Sequence, residues 1–478
     1  MIRLACFALM LSVLAGCAVN PATGRTDFVM MSERQELDLG ARYNQQILEQ
    51  NPPYADAKLQ AYIQSVGERV ARTSHRSQLH YTFTLVDSPD VNAFALPGGY
   101  IYIHRGLLAY LNSEAELAAV LGHEIGHVTA RHSVRQQSQS TAWSILGQAA
   151  AMGTGMGALN DLTQVMGGAI VRGYGRDMEL EADGLGAQYL ARSGYDPKAM
   201  IEVVKVLKSQ EDYAKAQARD RGEAVPESGY HGLFDTHPDN DRRLREVVLA
   251  AQSLTGNASQ TERDAFMQRL DGLVFGDSAE AGIRRGERFY HQSLDMTLAF
   301  PKGWSLINQS DVLAGLSPDR QVQVLMRLQK VDERLSPEMF LRKVAAGAVL
   351  SGGQRFSASG VEGYSATVQS SRPIRAAAVY HGDNAYLFVA SANDVARLQS
   401  ELAGIEATWR SLRKLKSSEK ALAQPLRLQV ERARSGQGLE QLAATMPEGS
   451  GGLAQLRLLN NRYPDGDVKA GEWVKTLR

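Results

Sequence analysis

"LGHEIGHVTARHS", residues 121–133, decides how the chain reads. Ser113 and Glu116 stand at capping-box spacing ahead of it. Leu117, Val120, Leu121, Ile125 and Val128 follow at helical intervals, which predicts one helix through the motif. His123 and His127 are four apart and share a face of that helix. Two imidazoles so placed can meet one tetrahedral Zn2+ at about 2.0–2.1 Å each. Glu124, beside the first histidine, can serve as a general base toward a water on the metal. The bland alternative is a core helix that carries histidines by accident.

A catalytic zinc needs a third protein ligand and an open fourth position. His132 does not fit. An elongated HExxHxxGxxH motif needs glycine and histidine where Ala130 and Ser133 stand. His132 is therefore expected to be a structural neighbour of the ligands. The better candidate lies in "RDMELEADGLGAQYL", residues 176–190, where Glu179 and Asp183 again share one helical face. One carboxylate can ligate, and the other can accept the free N–H of a ligating histidine. Glu181, two residues on, points elsewhere.

Outward from the motif, residues 32–73 read as two helices split by "NPPYADA", and "HYTFTLVD" (80–87) alternates like a strand. "GGYIYI" (98–103) reads as an edge strand opened by two glycines, with Asn92, Gly98, Gly99 and Tyr100 placed to receive an extended polypeptide. A helix is expected near 176–192, and Asp196-Pro197 opens its successor. Residues 142–172, rich in Gly, Ala and Met, read either as a helical lid over the cleft or as a membrane segment.

At the N-terminus, "MIRLACFALMLSVLAGC" has one arginine and an apolar run too short to span a bilayer. Residues 1–16 are expected to be a signal peptide. The small residues before Cys17 resemble a lipobox, which makes Cys17 the lipidation site and 17–31 a linker. Ala18 after it resembles outer-membrane sorting. Cys6 leaves with the signal, so the two cysteines supply no disulfide. Lys+Arg and Asp+Glu both number 52 in 478 residues, and this zero net charge argues against a nucleic-acid partner.

An HExxH followed about fifty residues later by ExxxD resembles the gluzincin family that includes the CAAX prenyl proteases, the heat-shock membrane protease and the periplasmic barrel-assembly-enhancing protease. "NPATGR" (20–25), "VNAFALPGGYIYIHRGLL" (91–108) and "THPDNDRR" (236–243) are similar to further signatures of that family. The resemblance implies one Zn2+ per chain, held by His123, His127 and Glu179. It also implies Glu124 as base, Asp183 orienting a histidine, and His237 and Arg243 lining the site, where they could stabilise an oxyanion. His237 could instead latch the fourth metal position or cap a helix.

The expected fold class is α+β: a mainly helical zincin-like domain with a small sheet over 32–255, an α/β sandwich over 285–412 that resembles the PsbP or Mog-one type, and a LysM-like module over 425–478. LysM modules bind peptidoglycan glycan, although Gly436-Gln437-Gly438-Leu439 departs from the usual Gly-Asp-Thr-Leu. The function implied is a zinc endopeptidase of the bacterial envelope that cleaves unfolded or misassembled proteins and is held to the outer membrane by its lipid. A latched scaffold that holds envelope partners is the alternative.

Overall fold

The computed structural model describes residues 17–141, 174–220, 259–309, 312–330, 335–370, 374–447 and 449–478, with Arg243, Glu246 and Leu254 as single positions. The expected signal peptide, the segment 142–172 and His237 lie outside the described residues. The chain forms two bodies. The first runs to Leu273 and resumes over Leu428–Met446 and Gly451–Arg478; the second is Val274–Arg427 with Pro447–Ser450.

The first body opens with a small hairpin, β1 (Cys17–Val19) and β2 (Thr26–Phe28), where a plain linker was expected. Its turn is closed locally: the Asn20 side-chain oxygen accepts from the Ala22 and Thr23 amides at 2.9 and 3.2 Å. Two helices follow, α1 (Glu33–Gln50) and α2 (Ala57–Ala71), capped by Ser32 and Asp56 and separated by the expected Pro-rich break.

A three-stranded sheet comes next, made of β3 (Thr82–Val86), β4 (Ala93–Leu96) and β5 (Tyr100–His104) in the order β3-β5-β4. This corrects the expectation for "GGYIYI". β5 is the central strand, parallel to β3 and antiparallel to β4, so it has no edge to offer. Gly98 and Gly99 sit at φ 83° and 94° and form the tight turn between β4 and β5. The two outer edges belong to β3 and β4: along β3 the Gln60 and Gln64 side chains bond the Phe83 and Leu85 backbone, and β4 starts directly after Asn92.

After a short helix α3 (Arg105–Tyr110), the motif helix α4 (Glu114–Thr129) runs buried along almost its whole length. The Ser113 hydroxyl accepts from the Glu116 amide at 3.2 Å, and the Glu116 carboxylate accepts from the Asn112 amide at 2.8 Å. α5 (Arg176–Arg192) crosses α4, and α6 (Ala199–Asp220) packs on it as well.

The α4–α5 crossing is close because it has almost no side chains in it. A Cβ on Gly126 would lie 2.9 Å from the Ala182 carbonyl oxygen and 3.1 Å from its Cα. A Cβ on Gly186 would lie 3.0 Å from the His123 amide nitrogen. Glycine inside a helix costs about 1 kcal/mol relative to alanine, so propensity argues against it here and close packing prevails.

The tail runs strand, helix, helix, strand over Leu426–Arg432, Leu439–Ala443, Gly452–Leu459 and Trp473–Leu477. From Leu428 onward it belongs to the first body instead of standing as a separate module. Lys475 is fully buried, and its ammonium donates to the Ala109 and Leu111 carbonyls at 2.7 and 2.9 Å, just ahead of the motif helix. Burial lowers this lysine to about 7, against the opposing pull of Glu116.

The second body holds a seven-stranded antiparallel sheet of β6 (Ser305–Asn308), β7 (Leu313–Leu316), β8 (Val322–Lys330), β9 (Leu350–Ala358), β10 (Val361–Val368), β11 (Ile374–His381) and β12 (Asn384–Ala392), in the order β6-β7-β8-β12-β11-β10-β9. A smaller four-stranded sheet accompanies it. The helix Val395–Arg410 lays Leu398, Ile405 and Trp409 into the main core with Phe388 and Val324. The helix Pro337–Val344 covers Tyr364, Ala366 and Ala378. His381 lies at the end of a hairpin strand, its Nε2 2.9 Å from the Asp295 carbonyl, with no catalytic partner set around it among the described residues.

Replacing Gly126 with alanine should gain about 1 kcal/mol of helix propensity and lose more to strain against the Ala182 backbone, since overpacking of this kind costs about 1–3 kcal/mol. The expected outcome is a lower thermal midpoint for the metal-free protein together with weaker metal binding in a competition titration. An unchanged midpoint and affinity would contradict so close a crossing.

Candidate metal centre

The close crossing brings the two motifs together. Helical spacing puts His123 and His127 on the face of α4 turned toward α5, and puts Glu179 and Asp183 on the face of α5 turned back. The Nε2 atoms of the two histidines converge to 3.0 Å. Glu179 completes the set: its two oxygens lie 3.5 Å from the Nε2 of His123 and 3.5 Å from that of His127. All three residues are buried, and among the described residues they are the one group of three whose donor atoms gather within 4.8 Å. Two donors on a tetrahedral zinc lie roughly 3.4 Å apart. The spacings, the two-nitrogen, one-oxygen donor set and the dry surroundings therefore fit a zinc ion.

Each histidine is held through its other nitrogen. The Nδ1 of His123 lies 2.8 Å from Oδ1 of Asp183, the carboxylate whose part would be to orient that ring. Asp183 is itself gripped by Arg243, whose Nε and Nη2 donate to its two oxygens at 2.8 Å each. The third nitrogen, Nη1, lies 3.5 Å from Glu179 Oε2. Arg243 thus spends two of its edges locking Asp183 and also forms part of the cavity wall. Burial opposes charge on Asp183, but the Arg243 guanidinium and the His123 ring outweigh it and hold the carboxyl below its usual value. Burial likewise opposes a proton on His123, yet Asp183 and Glu179 outweigh it and raise the metal-free ring to about 9.

Glu124 is buried beside the histidines and lines a small recess with Leu107, Val120, Met200, Val203 and Leu207. Ala93, the first residue of β4, lies on the same wall. Asn92 directly precedes β4, an edge strand, whereas Gly98, Gly99 and Tyr100 are in the hairpin turn and on the central strand.

Two participants were not legible from spacing. Tyr174, just ahead of α5, stacks on the His127 ring with centroids 4.0 Å apart, and its hydroxyl meets Ser133 at 2.7 Å. Glu181 does point away from the metal position, as expected, but it points at His132. No fixed interval signals either contact, because both depend on how the chain turns after α4.

The sequence profile of Peptidase family M48 matches residues 57–250. That stretch of the chain is therefore similar to Peptidase family M48. It is 31% identical to the beta-barrel assembly-enhancing protease of Escherichia coli over 264 residues, covering 53% of this chain and 51% of that protein. To the protein of the same name from Yersinia pestis it is 30% identical, covering 52% and 51%. To the mitochondrial metalloendopeptidase OMA1 of Arabidopsis thaliana it is 38% identical over 181 residues, covering 38% and 33%. The chain spans about half the length of the bacterial relatives it matches. A solved cyanobacterial PsbP aligns with 29% of the chain at a TM-score of 0.23 and 13% identity, too distant a likeness to argue from.

Metal binding should depend on pH with a definite sign. Ligating imidazoles must be neutral, and the metal-free His123 holds its proton up to about 9. Apparent affinity is expected to rise with pH through neutrality and to level off near 9, as read by competition titration. Asp183→Asn should weaken binding about 10–100-fold at neutral pH.

Proposed function

We propose that this protein is a zinc-dependent endopeptidase of the bacterial cell envelope. The observation that carries the reading is the buried His123–His127–Glu179 set with Glu124 beside it on the wall of one recess. When bound there, zinc supplies Lewis-acid chemistry toward a water and a peptide carbonyl. The protein residues do the rest. His123, His127 and Glu179 hold the ion, with Asp183 and Arg243 fixing the first ring. The Glu124 carboxylate takes the proton of the attacking water and delivers it to the leaving amine nitrogen as the C–N bond breaks. His237 belongs to the proposal as a wall residue or a latch.

An extended polypeptide would add to the free side of β4 through main-chain hydrogen bonds, next to Ala93 and Glu124. Such pairing reads little side-chain identity, so unfolded or misassembled envelope proteins are the substrate class we favour. Names that describe enhancement of β-barrel assembly among the relatives support an envelope role. The lipobox-like residues before Cys17 support a lipid anchor in the outer membrane, facing the periplasm. The tail's LysM-like order leaves peptidoglycan as a further partner, testable by cosedimentation with sacculi.

The purified full-length protein should hydrolyse casein, lose that activity to a chelator and regain it with one equivalent of zinc. Glu124→Gln should retain the metal and lose at least about 100-fold in rate, since removal of a general base costs about 100–10,000-fold. Full activity in that variant would remove the mechanism.

A further inference from the structure

His132 sits five residues beyond His127, past the end of α4. What brings it back is Arg131, a non-glycine residue at φ 56°, in the left-handed region. That strained turn is held from outside: Arg131 Nε donates to Glu36 at 2.8 Å, and its Nη2 donates to the Met31 carbonyl at 3.1 Å. A new helical stretch, 132–141, starts at once, and the fully buried His132 ring comes to lie against His127. Their Nδ1 atoms are 2.7 Å apart.

One hydrogen must lie between those nitrogens, and the rest of the site says which ring owns it. His127 turns its Nε2 toward His123 and Glu179, so its neutral ring carries hydrogen on Nδ1. His127 therefore donates to His132 Nδ1. His132 then carries its hydrogen on Nε2 and donates to Glu181 Oε2 at 3.0 Å. The same Glu181 oxygen accepts from Arg135 Nη1 at 2.9 Å. Arg135 Nε lies 3.3 Å from Asp27 Oδ2, and that oxygen also accepts from the Asn20 side chain at 2.8 Å. The series runs without a gap from His127 to the hairpin β1–β2.

We infer that His132, Glu181 and Arg135 form a hydrogen-bonded relay that fixes the tautomer and ring angle of His127 and ties it to Asp27 in the N-terminal hairpin. The inference rests on the metal-centre reading above and adds positioning residues to it. The two ligating histidines are thus oriented differently. His123 meets a carboxylate directly, whereas His127 meets one through a second imidazole.

The test uses the purified full-length protein with cobalt(II) as a visible probe and zinc by competition. His132→Leu should weaken zinc about 10–100-fold and alter the cobalt absorption bands. Glu181→Gln and Asp27→Asn should shift both in the same direction by less, and His132→Gln, which keeps an acceptor facing His127, should recover part of the affinity. The thermal midpoint of the metal-free protein checks that folding is intact. Should His132→Leu not fold, Glu181→Gln and Arg135→Met, at side chains about a fifth exposed, decide the matter by the same two readouts. A wild-type protein that takes up no cobalt or zinc overturns the metal-centre reading and the relay with it. Stoichiometric uptake with unchanged affinity and spectrum in the variants overturns the relay alone.

Discussion

The backbone-to-backbone crossing of α4 and α5 is the constraint on which the rest depends. A carboxylate and two imidazoles can share one ion only if their helices come near enough for short side chains to meet, and here no Cβ separates Gly126 from Ala182. Once the helices touch, helical periodicity does the remaining placement. His123 and His127 look across at Glu179 and Asp183, one turn against one turn. The charges that result cancel in pairs, the buried Asp183 against Arg243 and the partly exposed Glu181 against Arg135. Such pairing is what makes burial of so many ionisable groups tolerable.

Much of this was legible in the sequence, and the part that was not has a physical cause. The HExxH and ExxxD faces follow from a period of 3.6 residues, which puts His123 with His127, and Glu179 with Asp183, on one face each; that the two faces meet was implied by the family resemblance. The same holds for α1 and α2 about their Pro-rich break. Strand order is another matter. "GGYIYI" was read as an edge because its glycines suggested close approach, but alternation along one strand carries no information about how many neighbours it has. β4 was missed altogether: "AFAL" is too short and too uniformly apolar to show a period.

The surroundings of His127 were illegible for a different reason. The Arg131 turn reverses the chain with a residue type that seldom adopts that conformation, and it is secured by Glu36 from a helix nearly a hundred residues earlier. No local rule anticipates it. The same is true of the stretch after Cys17, which was read as a linker. Its Asn20 side chain instead folds the turn and reaches the Ala130 carbonyl, at the end of the motif helix. Sequence periodicity thus put the candidate ligands on shared helix faces, while tertiary contacts supplied what aims them.

The first body is discontinuous along the chain. Lys475 docks on carbonyls more than three hundred and sixty positions upstream, so residues after Leu428 close a structure that residues before Leu273 begin, with a complete sheet-bearing body encoded between them. Chain closure over so long an excursion is entropically modest, because the cost grows only with the logarithm of its length. It is also topologically decisive. A single proteolytic nick within the intervening stretch would leave the two pieces of the first body clasped by noncovalent contacts alone. Cleavage on a denaturing gel would then report nothing about whether the first body is still whole.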